Sequence, residues 1–175
     1  MQEISRLPVF GPSEDLMLGI LRPYFEHQGV TVATEFSKNM HLPAVVARQD
    51  RKSGAATHIS RDPRFLAPSL ISVNTLCDGP DADEMNAHLQ EAVRLAIHEA
   101  WAKQITIPGV GYIARINNSG NAYRASDWAT STGVVQYAAL PHGVVRYERI
   151  YHLYVRPDQN QERTFNPFVR QFNNT

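Results

Sequence analysis

Residues 144–156, VVRYERIYHLYVR, decide the fold, because they predict a single β-strand of about thirteen residues. That length is roughly twice that of a typical strand. Alternate side chains of a strand point to opposite faces of a sheet, so the odd and even positions can be read separately. The odd positions, from Val145 to Val155, are nearly all apolar or aromatic, whereas the even positions mix charge with Ile150 and Tyr154. We therefore expect Ile150 and Tyr154 to be uncovered and the sheet to be shared with a neighbouring molecule.

The composition is that of a folded domain without a strongly charged partner. Hydrophobic residues make up 43% and charged residues 19% of the 175 residues, which suits a sizeable core. Seventeen basic and seventeen acidic residues cancel, which argues against nucleic acid or an anionic membrane as a partner. Cys77 is the single cysteine, so a reduced, cytosolic folding environment is expected. No signal peptide or membrane span is expected. We predict a single domain over residues 1–157 and a polar C-terminal extension over residues 158–175.

The first part of the chain predicts a helix, two strands and a long loop. The helix is expected over residues 13–28, with Ser13 as its cap and acidic residues in the first turn, where the helix dipole favours carboxylates. Residues 30–36 predict a strand, and residues 44–49 predict its neighbour. Residues 50–68 follow neither a helical nor a strand period. A connection of this length is uncommon and is usually functional or disordered.

The second part predicts a strand that leads directly into the main helix. Residues 70–76 form the strand, and residues 82–104 form the helix, with Asp81 and Glu84 at the spacing of a capping box. The expected apolar stripe of this helix comprises Met85, Leu89, Ala92, Val93, Ala96, Ile97, Ala100 and Trp101. Further strands are expected over residues 105–107, 110–116 and 133–139. The last of them would form a hairpin with the long strand.

The residue types that support catalysis or metal binding do not occur at the required spacing. His88 and His98 lie ten residues apart on the predicted helix and cannot share one metal ion without other ligands. Cys77 has no orienting base nearby in the sequence, and motifs for a serine nucleophile, a phosphate loop or a dinucleotide are absent. We therefore expect no catalytic, cofactor-binding or metal site and no enzymatic activity. The loop residues that would have to converge in the alternative, a small enzyme, are His58, Asp62 and His142.

Basic residues concentrate in the long loop. Asp50 and Asp62 partly offset them, so a nucleic-acid patch is a weak interpretation, and a contact with an acidic neighbouring subunit explains them as well. Arg149 interrupts the apolar row of the long strand. It either pairs with a carboxylate across an interface or extends past Tyr147 and Tyr151 to solvent. The candidate subunit-interface residues are Arg51, Lys52, Arg61, Arg64, Phe65, Arg149, Ile150 and Tyr154.

Three segments resemble those of a known family. VTVAT at residues 30–34 follows the first helix, and LISVNTL at residues 70–76 leads into AHLQEAVRLAI at residues 87–97. Trp128 precedes the closing strand, which reads VRYERIYHLYVRP over residues 145–157. In this order of elements the chain resembles the tail terminator proteins of long-tailed, non-contractile bacteriophages.

The resemblance covers roughly residues 12–157, and it implies an α+β fold: a mixed, mainly antiparallel β-sheet packed against one long and one shorter α-helix. It also implies a homohexameric ring that caps the tail tube, stops tube growth and presents a surface to the head-side connector. The implied partners are further copies of the chain, the tail tube protein and the stopper connector, with DNA only passing through the lumen. No cofactor and no membrane are implied. The implied location is the head-proximal end of the virion tail, after assembly in the host cytoplasm.

The alternatives to a terminator include other proteins of the head-to-tail connection and of the tail tube. A stopper is typically a small β-barrel, and the helix over residues 82–104 counts against it. A tube subunit is related in fold, but it polymerises into long cylinders, whereas a terminator stops at one ring. A binding module that recruits partners through the aromatic tail, with Phe165, Phe168 and Phe172, would be a monomer. The long loop and the C-terminal tail depart from the family's pattern.

Overall fold

The computed structural model describes residues 11–37, 39–49, 66–117, 120–125 and 143–158. Within these ranges the chain forms one six-stranded sheet and two α-helices, which confirms the predicted α+β class. In chain order the elements are α1 (Ser13–Phe25), β1 (Thr31–Ala33), β2 (Ala44–Gln49), β3 (Ala67–Cys77), α2 (Ala82–Ala102), β4 (Tyr112–Asn117), β5 (Tyr123–Arg124) and β6 (Val145–Arg156).

The sheet is mixed and mainly antiparallel, as predicted. Its strands follow the order β1-β2-β3-β6-β4, and β5 also pairs with β6. β1 and β2 are parallel, whereas the other pairings within the described residues are antiparallel. β3 and β6 are therefore the central pair, with further strands on the outer side of each.

The predicted bounds agree better with the structure for β6 than for β3. β6 has nearly the predicted length, whereas the strand predicted over residues 70–76 extends over Ala67–Cys77 and includes Pro68. Proline has no main-chain N–H to donate to a β-ladder, which is why the sequence pattern predicted that the strand begins later, at residue 70. β2 pairs with β3 only from Ile71 onwards. At Pro68 one side of β3 therefore has no strand partner within the described residues, and a missing amide is tolerated there.

α1 begins without the predicted side-chain cap. Pro12, and not Ser13, occupies the cap position, and no side chain caps the first amides. The Glu14 carboxylate instead accepts a hydrogen bond at 3.0 Å from the main-chain amide of Gln49, which ties the start of α1 to the end of β2. After α1 a short 3-10 turn ends at Gly29, whose φ of 79° favours glycine.

α2 buries a face that is rotated from the predicted apolar stripe. Met85 and Trp101 belong to the predicted stripe but are 42% and 38% exposed, whereas Asn86 and Gln90 are buried. Of the remaining stripe residues, Leu89 and Ala92 are half-buried, and Val93, Ala96, Ile97 and Ala100 are buried. Asp81 does occupy the cap position, but its side chain makes no capping hydrogen bond, so the predicted capping box does not form.

Two buried amides set the rotation of α2. The Asn86 side-chain amide donates to the Val145 carbonyl at 2.9 Å. The Gln90 amide donates to the Val73 carbonyl at 3.1 Å and to the Tyr147 carbonyl at 3.2 Å. These carbonyls belong to β3 and β6, so the two side chains hold the helix against both central strands. A hydrophobic pattern assigns amide side chains to solvent, which is why the rotation could not be predicted.

The hydrophobic core lies between the two helices and one face of the sheet. Its largest fully buried apolar and aromatic side chains are Leu16, Met17, Leu21, Ile71, Ile97, Ile113, Tyr151 and Leu153. The odd positions of β6 contribute to this core, as predicted. Within the described residues, neither helix is long and apolar enough to cross a membrane.

Other predicted segments are shorter or lie elsewhere. β1 has three residues, fewer than predicted. Residues 105–107 form no strand, and Ile107 makes only an isolated bridge with Gly111. Asp158, assigned to the predicted extension, accepts a hydrogen bond at 3.3 Å from the amide of Gly109. The predictions that lie outside the described residues concern residues 50–65, residues 133–139 and residues 159–175.

Gly111 is a position that does not tolerate a side chain. Its φ is 129°, and a Cβ there would overlap the carbonyl oxygen of Arg156. Gly111→Ala is therefore expected to lower the free energy of unfolding by at least about 2 kcal/mol. Gly120→Ala is the matched control, because nothing lies within 4 Å of a Cβ at Gly120. Urea denaturation measures both variants, and equal stabilities would contradict this packing.

Candidate functional site

A buried ion pair lies on the second face of the sheet, the face turned away from the helices. Glu148 is 2% exposed, and both of its carboxylate oxygens accept hydrogen bonds. The Ser72 hydroxyl donates to Oε1 at 2.5 Å, and the Tyr123 hydroxyl donates to Oε2 at 2.7 Å. Arg146 Nη1 lies 3.7 Å from Glu148 Oε2 and donates to Asn74 Oδ1 at 2.8 Å. These five residues are called the Glu148 network.

Three strands build the Glu148 network through their register. Asn74 of β3 and Tyr123 of β5 are both ladder partners of Glu148. Ser72 and Arg146 lie two residues from Asn74 and Glu148, respectively, and the period of two puts them on the same face. The Asn74 amide also donates to the Ser72 hydroxyl at 2.9 Å, which links the two β3 side chains. The network therefore depends on this register.

Tyr123 connects the network to the protein surface. The residue is 46% exposed, but the burial of its hydroxyl, together with the bond to Glu148, raises its pKa to about 12. Burial is the larger of these effects. The phenol therefore stays protonated at neutral pH and acts as the donor that the carboxylate requires.

The chemistry of this network is that of a structural ion pair. Both Glu148 carboxylate oxygens accept hydrogen bonds, and the network as a whole links β3, β5 and β6. Within the described ranges, no group of three or more His, Cys, Asp or Glu residues is arranged to hold a metal ion. Burial, and to a smaller extent Asp78, raises the pKa of the buried Cys77 thiol to about 11. The thiol is therefore protonated at neutral pH and is not present as the nucleophilic thiolate.

The middle of the second face is accessible. His152 of β6 is exposed, and its ladder partner Leu70 is half-buried. Ile150, two residues earlier on the same face, is also half-buried. Leu70, Ile150 and His152 are called the second-face patch. This patch combines two partly accessible apolar side chains with one exposed polar side chain.

The predicted interface residues do not lie together. Ile150 belongs to the second-face patch, but Arg149 lies on the opposite face of the sheet. The expectation that Tyr154 is uncovered is wrong: it is 3% exposed and lies between its ladder partners Pro68 and Arg115. An interface role for each of these residues stays a prediction. The predicted residues that lie outside the described ranges are Arg51, Lys52, Arg61, Arg64 and Phe65, together with His58, Asp62 and His142 of the alternative enzyme site.

Arg149 lies beneath α2, opposite Val73 of β3. It is 9% exposed, and its Nε and Nη1 are shielded from solvent without a hydrogen-bond partner in the described part of the chain. Extension of these nitrogens to solvent, one of the two expected arrangements, is therefore not observed. The buried Tyr151 hydroxyl lies beside Arg149, but it makes no hydrogen bond of good geometry within the described residues. Its pKa is raised by burial, the largest effect, while the electrostatic effect of Arg149 acts in the opposite direction.

The sequence patterns missed most of the polar side chains that are buried here. Ser72 and Asn74 alternate with apolar residues in β3, which is a local signal that the two faces of the strand differ. Their partner Glu148 lies 76 residues after Ser72. No local pattern identifies such a partner, because the pairing depends on the register between distant strands.

Comparison with protein-family models and with curated proteins finds no match. Function is therefore inferred from the arrangement of the elements and from two features of this chain. These features are the second-face patch and the buried, unpartnered nitrogens of Arg149.

Removal of the Glu148 carboxylate tests the network. Glu148→Ala is expected to lower the free energy of unfolding by about 3–5 kcal/mol, because it breaks a buried ion pair and removes the acceptor for the Ser72 and Tyr123 hydroxyls. Glu99→Ala is the matched control, since that carboxylate pairs with Lys103 at the solvent-accessible surface of α2, and the loss of such a surface pair should lower the stability far less. Both values follow from chemical denaturation. A Glu148→Ala variant as stable as the control would mean that the network does not stabilise the fold.

Proposed function

We propose that this chain is a structural subunit of a bacteriophage tail. In this role it forms a homohexameric ring, caps the last ring of the tail tube, ends tail polymerisation and joins the tail to the head-side connector. The observation that carries the proposal is the order and pairing of the elements. A first helix and two strands are followed by a strand that leads into the main helix, and a long closing strand lies at the centre of the sheet. The resemblance to tail terminators rests on the same order.

The second-face patch supports assembly through the sheet. A ring of identical subunits requires heterologous contacts, in which one surface of each subunit meets a different surface of the next. Leu70 and Ile150 offer apolar contact area, and His152 offers an exposed polar group. Apolar contacts with a polar rim are typical of protein interfaces. In the proposed ring, one face of β6 packs in the core and the other face meets a neighbour or lines the channel.

The proposed partners are proteins. They are further copies of this chain, the tail tube protein and the stopper connector, while DNA only passes through the lumen of the ring. The net charge of zero fits contacts with protein better than tight binding to nucleic acid. The proposed location is the head-proximal end of the virion tail, after assembly in the host cytoplasm. The proposal includes no enzymatic activity, no cofactor and no membrane.

The assembly state tests the proposal directly. Native mass spectrometry and electron microscopy of the purified chain, alone and with the tail tube protein, are expected to reveal single hexameric rings that cap the ends of tubes. Long cylinders formed by the chain alone would assign it to the tube instead. A strict monomer under both conditions would contradict the proposal.

A charge on the second-face patch is expected to prevent ring formation. His152→Glu places a carboxylate at an exposed position beside Leu70 and Ile150, so the subunit should fold normally but assemble poorly. His88→Glu is the matched control, because His88 is exposed on α2. Native mass spectrometry should detect rings for the control and mainly smaller species for His152→Glu. Equal assembly of the two variants would exclude the second-face patch from the ring contact.

A further inference from the structure

Arg149 is a buried cation with unused donor capacity. The residue is 9% exposed, and two of its three guanidinium nitrogens, Nε and Nη1, are shielded from solvent and lack an acceptor among the described residues. A buried charge without a partner is strongly disfavoured, because its lost hydration is not replaced. The other buried arginine, Arg146, differs in this respect, since it bonds to Asn74 and lies near a carboxylate.

The groups around Arg149 leave the cluster positively charged. Glu91 interacts electrostatically with Arg149, but its carboxylate accepts three hydrogen bonds, of 2.5 to 3.1 Å, from Arg94. Two guanidinium groups therefore share one carboxylate. The Tyr151 hydroxyl lies beside Arg149 and adds a further buried donor, which has no acceptor of good hydrogen-bond geometry among the described residues. The pKa of His98 is lowered, first by burial and then by Arg94 and Arg149, which agrees with an excess of positive charge.

Among the described residues, the strand pairing beside this cluster is interrupted. β4 and β5 both pair with β6, but they skip residues 149–151, which have no strand partner on that side within the described residues. Along one edge of α2, Asp83 contacts β5 and Trp101 contacts β4. Arg94 lies on the same edge between them, because these three positions are separated by nearly whole helical turns. The Arg94 and Glu91 side chains are 34% and 50% exposed, so the cluster opens to solvent at this edge.

We propose that Arg149, Arg94 and Tyr151 form a binding site for an oxyanion, such as a carboxylate or phosphate group. The guanidinium groups and the phenol are donors, and an oxyanion supplies the acceptors and the negative charge that the cluster lacks. The ligand enters along the edge of α2 and displaces Glu91 from part of its contact with Arg94. This site does not depend on the proposed role in a phage tail.

A titration with inorganic phosphate tests the site on the whole chain. The arginine Nε–H resonances are followed by NMR, with ionic strength held constant by sodium chloride. The Arg149 resonance, identified by its absence from Arg149→Met, is expected to shift saturably. Arg149→Met should bind phosphate at least about tenfold more weakly. Its melting temperature should not fall, because the substitution removes a buried charge that only shares the Glu91 carboxylate with Arg94.

Three further variants separate this site from general charge effects. Glu91→Gln removes the competing carboxylate, so it should bind phosphate more tightly than the parent chain. Arg124→Met and Glu99→Gln are matched controls that alter exposed ion pairs near the two ends of α2, and they should bind as the parent does. Absence of a saturable shift, parent-like affinity of Arg149→Met, or a marked fall in its melting temperature would each overturn the inference.

The oxyanion has two possible sources, a free anion or an acidic side chain of a second copy. Native mass measured in phosphate and in sodium chloride of equal ionic strength distinguishes them. If a second copy supplies a carboxylate, phosphate should shift the parent chain to smaller species and leave Arg149→Met unchanged. If the source is a free anion, phosphate should saturate the site without any change in mass. Saturation by a chain that forms no ring would retain this site while contradicting the proposed function.

Discussion

The antiparallel pairing of β3 with β6 is the constraint on which the rest of the structure depends. Eleven residue pairs join the two strands, from Ala67 with Val155 to Cys77 with Val145. Because side chains alternate between faces, a slip of one residue would move each of them to the other face. In the observed register, apolar partners face the helices and the Glu148 network lies on the second face. The two faces are therefore specified together by one ladder.

The same ladder determines where the main helix lies and what it covers. Gln90 donates to carbonyls of both central strands, so α2 is held over the β3–β6 seam rather than over one strand. In that position its edge brings Arg94 and Glu91 beside Arg149. The proposed oxyanion site and the second-face patch thus lie on opposite faces of the same strand. One face combines the core with a cluster of charged side chains, and the other combines a buried ion pair with an accessible patch.

Much of this architecture could be predicted from local patterns, and the remainder depends on distant pairings. The length of β6 and the existence of α2 follow from the periods of two and 3.6 in continuous stretches of sequence. The buried positions of Asn86 and Gln90 could not be predicted, because their hydrogen-bond acceptors are main-chain carbonyls of distant strands. The burial of Tyr154 depends likewise on its neighbours in β3 and β4. The placement of Arg149 in the apolar row was visible in the sequence, but the lack of an acceptor for its Nε and Nη1 among the described residues was not.

Native-state hydrogen exchange, followed amide by amide, tests the central claim about the β3–β6 ladder most directly. If this ladder organises the fold, the slowest exchange should occur in β3 and β6 where they pair with each other, at rates set by global unfolding. The amides of β1, a short edge strand, should exchange faster through local opening. β6 amides that exchange as fast as those of β1, while α2 stays protected, would contradict this account.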